Sequence, residues 1–304
     1  MAVPLPNQVI IEMAMRSHRI HHYLFHNVRN NWLFYDDDTK NKLRNMGWEP
    51  PRPALQEDPA SPTTGSPILD NYSGEDFLFM HREMIKNVNE ILAQVHDPQY
   101  PKVEGWEIVP RPGDLEYPVP PAWRDGVREV KSDQYFENVF IPWEQQYTNL
   151  DYLSTVTLGQ LGAELEFSIH NAMHMRWASQ PSEIRPRADP TRPDLIDTRW
   201  DDPSYNYLGD TYSSHVNPIF WKLHGWIDNR IKDWKSANSI TGDIQWTGTW
   251  VGHMQGHGTP HRLLKELSIP KREEIDNMMQ VLKTIENKNK IKDFPIIGPF
   301  FDNK

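Results

Sequence analysis

Cysteine is missing from all 304 residues. That absence removes disulfides, thiolate metal sites, iron–sulfur clusters and cysteine nucleophiles together. An excess of positive charge is missing too: 42 acidic residues face 32 basic ones, for a net charge of -10. Such a balance argues against nucleic acid as a partner and offers no basic patch to a membrane surface. No apolar run approaches the roughly 18 residues of a membrane-spanning helix. The first residues, MAVPLPNQVIIEMAMR, place no basic residue before a short apolar run that Glu12 interrupts. No signal peptide is therefore expected, and the chain reads as cytoplasmic.

What is present is aromatic. The chain has 12 Trp, 11 Tyr and 11 Phe, enough for a sizeable core in one domain over residues 1–304. Apolar residues recur at helical spacing in four long segments, near 8–30, 73–95, 155–178 and 218–234. The second opens with Glu75 and Asp76, which suit a helix N-terminus, and ends near His96, read as a helix-end residue. The fourth starts at Pro218, with Asn217 or a neighbour as its cap. Gly159 and Gly162 in the third would permit close helix packing. A further helix is expected over 270–287. Residues 136–178 are helix-like with a break near Pro142, and 241–258 read as a strand or irregular segment. Proline-rich stretches at 36–71 and 97–125 and a polar stretch at 180–211 read as long loops. The expected fold is mainly α: a central four-helix bundle with long Pro-rich loops and few or no strands.

The helices share a histidine pattern. In IHNAMHMRW, residues 169–177, His170 and His174 are four apart and lie on one helix face. His224 follows on a later helix. The run HHYLFH, residues 21–26, again holds residues four apart, and His81 follows on the next helix. Both His18–His22 and His22–His26 have the required spacing. Two trios result, His22, His26 and His81, then His170, His174 and His224. Each draws two nitrogens from one helix and one from another, which is how helical bundles build metal sites. Imidazoles without thiolate or carboxylate suit copper or zinc.

These segments resemble the type 3, dinuclear copper family of tyrosinases, catechol oxidases and hemocyanins. FLFMHRE, residues 77–83, is similar to the first-copper signature and places a ligand at His81. HNAMH, residues 170–174, and NPIFWKLHGWID, residues 217–228, are similar to the second-copper signature, with His170, His174 and His224 as ligands. HHYLFH resembles the arthropod hemocyanin arrangement, which selects His22 and His26. The chain departs from the family in three ways. Leu223 stands where tyrosinases carry the first of two histidines, Asn217 stands where aspartate is usual, and no cysteine is available for a thioether to a first-copper ligand.

The resemblance implies a dicopper enzyme using dioxygen as co-substrate. It would hydroxylate a monophenol at the ortho position, oxidise an o-diphenol to an o-quinone, or both. A catechol or o-aminophenol oxidase without monophenolase activity is one alternative, and a non-catalytic, hemocyanin-like oxygen-binding protein is another. Asn171 matches the residue that helps position a water near the second copper. Glu144 and Glu166 are candidates for the assisting glutamate, and neither is assigned. Outside the ligands, His215 and Asp228 are read as supporting groups, with Arg82 or Arg230 as partner for Asp228. His253, His257 and His261 read as structural or surface residues. Arg185, Arg187 and Arg192 could receive a carboxylated substrate or could simply pair within their acidic loop. The expected partners are a small phenolic or o-aminophenolic substrate and a copper-delivery protein.

Overall fold

A computed structural model describes residues 4–186, 196–252 and 272–286. These residues are mainly helical. The expected helix over 8–30 is divided into α1 (Asn7–Ala14) and α2 (Arg16–Asn31) by Met15, whose backbone is extended at φ -56 and ψ 137. Nothing in the local sequence resembles a helix breaker. The cause is tertiary: the buried guanidinium of Arg19 donates to the Ala14 carbonyl at 2.9 Å, replacing a partner lost at the break. The stretch read as loop from residue 36 opens with a helix, α3 (Asp37–Asn45), where Asp36 caps the Thr39 N–H at 2.8 Å. Two residues on each side then pair antiparallel, β1 (Leu55–Gln56) with β2 (Ser66–Pro67).

Helix α4 (Ser73–Val95) begins and ends as the sequence predicts, with His96 as its left-handed C-cap. Glu75 receives the backbone N–H groups of Thr247 and Gly248, and Asp76 receives that of Trp250, at 2.6–2.9 Å. The first turn of α4 therefore holds down the irregular 241–252 segment. Short helices α5 (Asp125–Arg128) and α6 (Asp133–Tyr135) lead through a π-helical turn, Phe136–Phe140, into α7 (Ile141–Thr148), near whose start Pro142 sits without a break. After α8 (Leu150–Leu153) comes the segment expected as one helix over 155–178. It is α9 (Leu158–Leu165), a π-helical turn Glu166–His170, and α10 (Asn171–Trp177). Asn217 caps α11 (Pro218–Ala237) through the Ile219 N–H at 3.0 Å, and α12 (Arg272–Ile285) lies against α2 and α3.

Helices α4 and α9 approach through glycine. A Cβ on Gly74 would stand 2.1 Å from the Gly159 carbonyl oxygen, and one on Gly162 would stand 2.2 Å from that of Gly74. Backbone-to-backbone contact of this kind admits no side chain. Two ion pairs then join the histidine-bearing helices. Arg29 of α2 meets Glu166 at 2.5 and 2.7 Å and donates to the Ser73 carbonyl, with both charged groups fully buried. Arg82 of α4 meets Asp228 of α11 at 2.7 and 3.3 Å. Among the described residues no helix is long and apolar enough to cross a membrane.

Candidate metal centre

The four helical segments expected to carry histidines bring them to one place. His22 and His26 come from α2, His81 from α4, His170 and His174 from the π-turn and α10, and His224 from α11. Ring nitrogens of His22, His26 and His81 all lie within 4.8 Å of one another, and so do those of His81, His170 and His224. His81 thus belongs to both gatherings, and its ring stacks on that of His224 at 4.2 Å and 9°. His174 completes the later trio: its Nε2 lies 3.3 Å from His224 Nε2, and its ring 4.6 Å from that of His170. Phe220 packs against His224, His22, His174 and His81 at 3.9 to 6.2 Å, giving the cluster an apolar wall.

In three of the rings the backbone fixes which nitrogen is available. His22 Nδ1 meets the Thr211 carbonyl at 2.6 Å, His81 Nδ1 the Phe77 carbonyl at 2.9 Å, and His174 Nδ1 the Leu208 carbonyl at 2.8 Å. A carbonyl only accepts, so each Nδ1 carries the proton and each Nε2 presents a lone pair. His170 Nδ1 is paired with Asn171 Oδ1 at 3.1 Å, with the same consequence. The Nε2 atoms of His22, His81 and His170 and the Nδ1 of His224 are buried without a partner. Buried nitrogens left in that state are costly unless something fills the gap. A cation that takes imidazole ligands fits these residues.

Electrostatics agrees. Burial pushes the imidazoles strongly toward the neutral form: His22 falls to about 3 and His174 to about 4, while His26, His81, His170 and His224 lie well below the ordinary value. Neighbouring histidines deepen the shift in the last four. Neutral imidazole is the metal-binding form.

The supporting residues divide. His215, fully buried, donates from Nε2 to the Met13 carbonyl at 3.0 Å and sets its ring 4.9 Å from that of His22. Asp228 is used by Arg82, linking α4 and α11 beside His81 and His224, while Arg230 pairs with Asp233 at 2.9 Å. His18 is half-buried and joins neither gathering, its pKa lowered to about 4 by burial and by His21. Both glutamates weighed for the water are occupied: Glu166 by Arg29, and Glu144 by the Val109 N–H and Arg111, each at 2.6 Å. Arg185 is likewise taken, by Asp210 at 3.1 Å, and is not open to a substrate carboxylate. Arg187, Arg192, His253, His257 and His261 lie outside the described residues, as does the tail beyond 286.

Three features of the site escape sequence reading. The π-turn Glu166–His170, with Ser168 at φ -129 and ψ -107, re-aims His170 relative to α9. Its kink is held by Tyr147 and Ser168, whose hydroxyls meet at 3.0 Å. The Leu208 and Thr211 contacts use backbone carbonyls, so those side chains give no signal. A search with protein-family models finds no match to the chain, and a comparison with curated proteins finds none either.

Proposed function

We propose that the chain is a type 3 dicopper oxidoreductase acting on phenolic substrates, with helices α2, α4, α9–α10 and α11 as a four-helix frame around the metals. The observation that carries this reading is the convergence of six neutral imidazoles, five of them no more than 4% exposed and four of them with a buried ring nitrogen that has no partner. His22, His26 and His81 would hold one copper, and His170, His174 and His224 the other. A copper pair would supply the redox chemistry with dioxygen. The chain supplies the rest. Carbonyls at Thr211, Phe77 and Leu208 hold the rings of His22, His81 and His174 in one tautomer, which orients them before metal arrives. Phe220, Phe77 and Phe25 pack around the rings and exclude water. His174 and Asn171 are the partly exposed members, so a substrate ring would arrive on their side.

A second reading is favoured by the two occupied glutamates. With Glu144 and Glu166 both held by arginines, neither is free to assist a water at Asn171. A phenol must lose its proton before ortho-hydroxylation, whereas a catechol or o-aminophenol needs only the oxidation step. The oxidase without monophenolase activity is accordingly the narrower form of the proposal. The test is to load the protein with copper and compare a monophenol, a catechol and an o-aminophenol under air. Turnover of the last two alone selects the oxidase, turnover of all three selects the monooxygenase, and reversible oxygen uptake without turnover overturns the enzymatic reading.

A further inference from the structure

Residues 205–215 run between the 3-10 turn Thr198–Asp201 and helix α11, and none of their side chains belongs to either trio. Their backbone nonetheless touches both. The Leu208 carbonyl accepts from His174 Nδ1 at 2.8 Å, and the Thr211 carbonyl accepts from His22 Nδ1 at 2.6 Å. One belongs to the later trio and the other to the early one, so a single stretch of chain reaches across the centre.

The stretch is pinned at its middle by Asp210. Oδ1 of Asp210 receives the Tyr212 N–H at 3.1 Å and an Arg185 Nη2 hydrogen at 3.3 Å, while Oδ2 receives Arg185 Nε at 3.1 Å and the Tyr205 hydroxyl at 3.0 Å. The Asp210 carbonyl accepts the N–H groups of Ser213 and Ser214, and its own N–H goes to Tyr207. Arg185 in turn lies over the rings of Tyr23 and Tyr212 at 4.9 and 4.5 Å, so Asp210 is anchored to α2, which carries His22. The start of the stretch is tied to the same helix, where Arg16 holds Asp201 at 2.8 Å and Arg19 donates to the carbonyls of Tyr205 and Asp202 at 3.0 and 2.9 Å, and its end is tied to α1, where His215 donates to the Met13 carbonyl at 3.0 Å. Asp210 sits between the two carbonyls that matter, two residues after Leu208 and one before Thr211.

We propose that residues 205–215 are a strap that sets the tautomer and ring orientation of one histidine in each trio, with Asp210 as the positioning residue that fixes both at once. The two halves of the centre are then organised together, and loosening the strap degrades both. The link to copper rests on the dicopper reading, whereas the link to the histidine tautomers does not. Metal ligands depend on the group that holds their second nitrogen, and loss of such a group weakens metal binding by about 10–100-fold.

The test uses metal-free full-length protein with 15N-labelled histidine, where long-range 1H–15N spectra identify the protonated nitrogen of each ring. In the wild type, His22 and His174 are expected as Nδ1–H tautomers, and a proton on Nε2 of either overturns the proposal before any variant is made. In Asp210→Ala, His22 and His174 are expected to lose that preference together, while His81, held by Phe77 in its own helix, keeps it. A change at one ring alone, at neither, or at all three alike overturns the role of Asp210. Should Asp210→Ala fail to fold by circular dichroism, Asp210→Asn, which keeps an oxygen for the Tyr212 N–H, is read the same way, with a partial loss expected at both rings. Copper competition against a chelator then gives the functional side. Asp210→Ala is expected to weaken both coppers about 10–100-fold, and loss of only one contradicts the coupling. A wild type that binds no copper refutes the dicopper reading and leaves the tautomer result to decide the strap.

Discussion

Acid should open the metal-free centre well before it protonates the ordinary carboxylates. His22, His26, His81, His170 and His224 are each at most 4% exposed and are held neutral by burial, whereas in the unfolded chain each titrates near 6.5. A base whose folded pKa is depressed contributes no penalty above its unfolded value. As pH falls below about 6.5 the unfolded state gains protons that the folded state refuses, and stability drops until the folded pKa is reached. At about pH 5 each such histidine costs about 2 kcal/mol, and five together would cost about 10, a figure comparable to a typical folding free energy of about 5–15. Burial raises the pKa of Glu166, Glu164 and Asp76, and these act in the opposite sense without outnumbering the histidines. Urea unfolding of the metal-free protein, followed by circular dichroism from about pH 7.5 down to about pH 5, should show a midpoint that is flat above about 6.5 and falls steeply below it. A midpoint that holds to about pH 5 would refute the neutral, buried cluster.

Other expectations bear on single contacts. Removing one partner of the buried Arg29–Glu166 pair, as in Glu166→Gln, should cost about 3–5 kcal/mol in urea unfolding, because Arg29 stays buried and uncompensated; a double replacement, Arg29→Met with Glu166→Leu, should cost less. Gly162→Ala should be strongly destabilising, since its Cβ would meet the Gly74 backbone at 2.2 Å, while Gly242→Ala, with open space around its Cβ, should leave the melting temperature within a few degrees. Replacing His81, which stands in both gatherings, should lower copper content more than replacing His26, which stands in one; equal losses by metal analysis would separate the two trios completely. Asn171→Ala should reduce monophenol hydroxylation more than catechol oxidation if it positions water. An equal reduction would instead assign it to holding His170, whose Nδ1 it meets at 3.1 Å.

The histidine-bearing helices were legible because their signals are local. The apolar rhythm of 73–95, the acidic first turn of Glu75 and Asp76, and the Asn217 cap ahead of Pro218 each act within a turn of where they sit. The break at Met15 was not legible, since it answers to Arg19 folding back on Ala14 and then onto Tyr205 and Asp202, residues more than 180 positions away. The π-turn at Glu166–His170 was hidden for a similar reason: Glu166 is held by Arg29 and Ser168 by Tyr147, both from other helices. Spacing placed His170 and His174 on one face, and the kink alters the phase between them and α9. Asp228 was readable as a partner for Arg82 or Arg230, and only the packing of α4 on α11 decides for Arg82. Carbonyl acceptors such as Leu208 and Thr211 leave no mark in side-chain identity at all.

Metal stoichiometry combined with electron paramagnetic resonance tests whether the six imidazoles hold a pair of coppers. Metal-free protein loaded with Cu(I), desalted and oxidised in air should retain two coppers per chain and give almost no Cu(II) signal, because two Cu(II) ions in adjoining histidine trios couple and cancel. A single copper per chain, or two coppers with a full uncoupled signal, would rule out the proposed dicopper site.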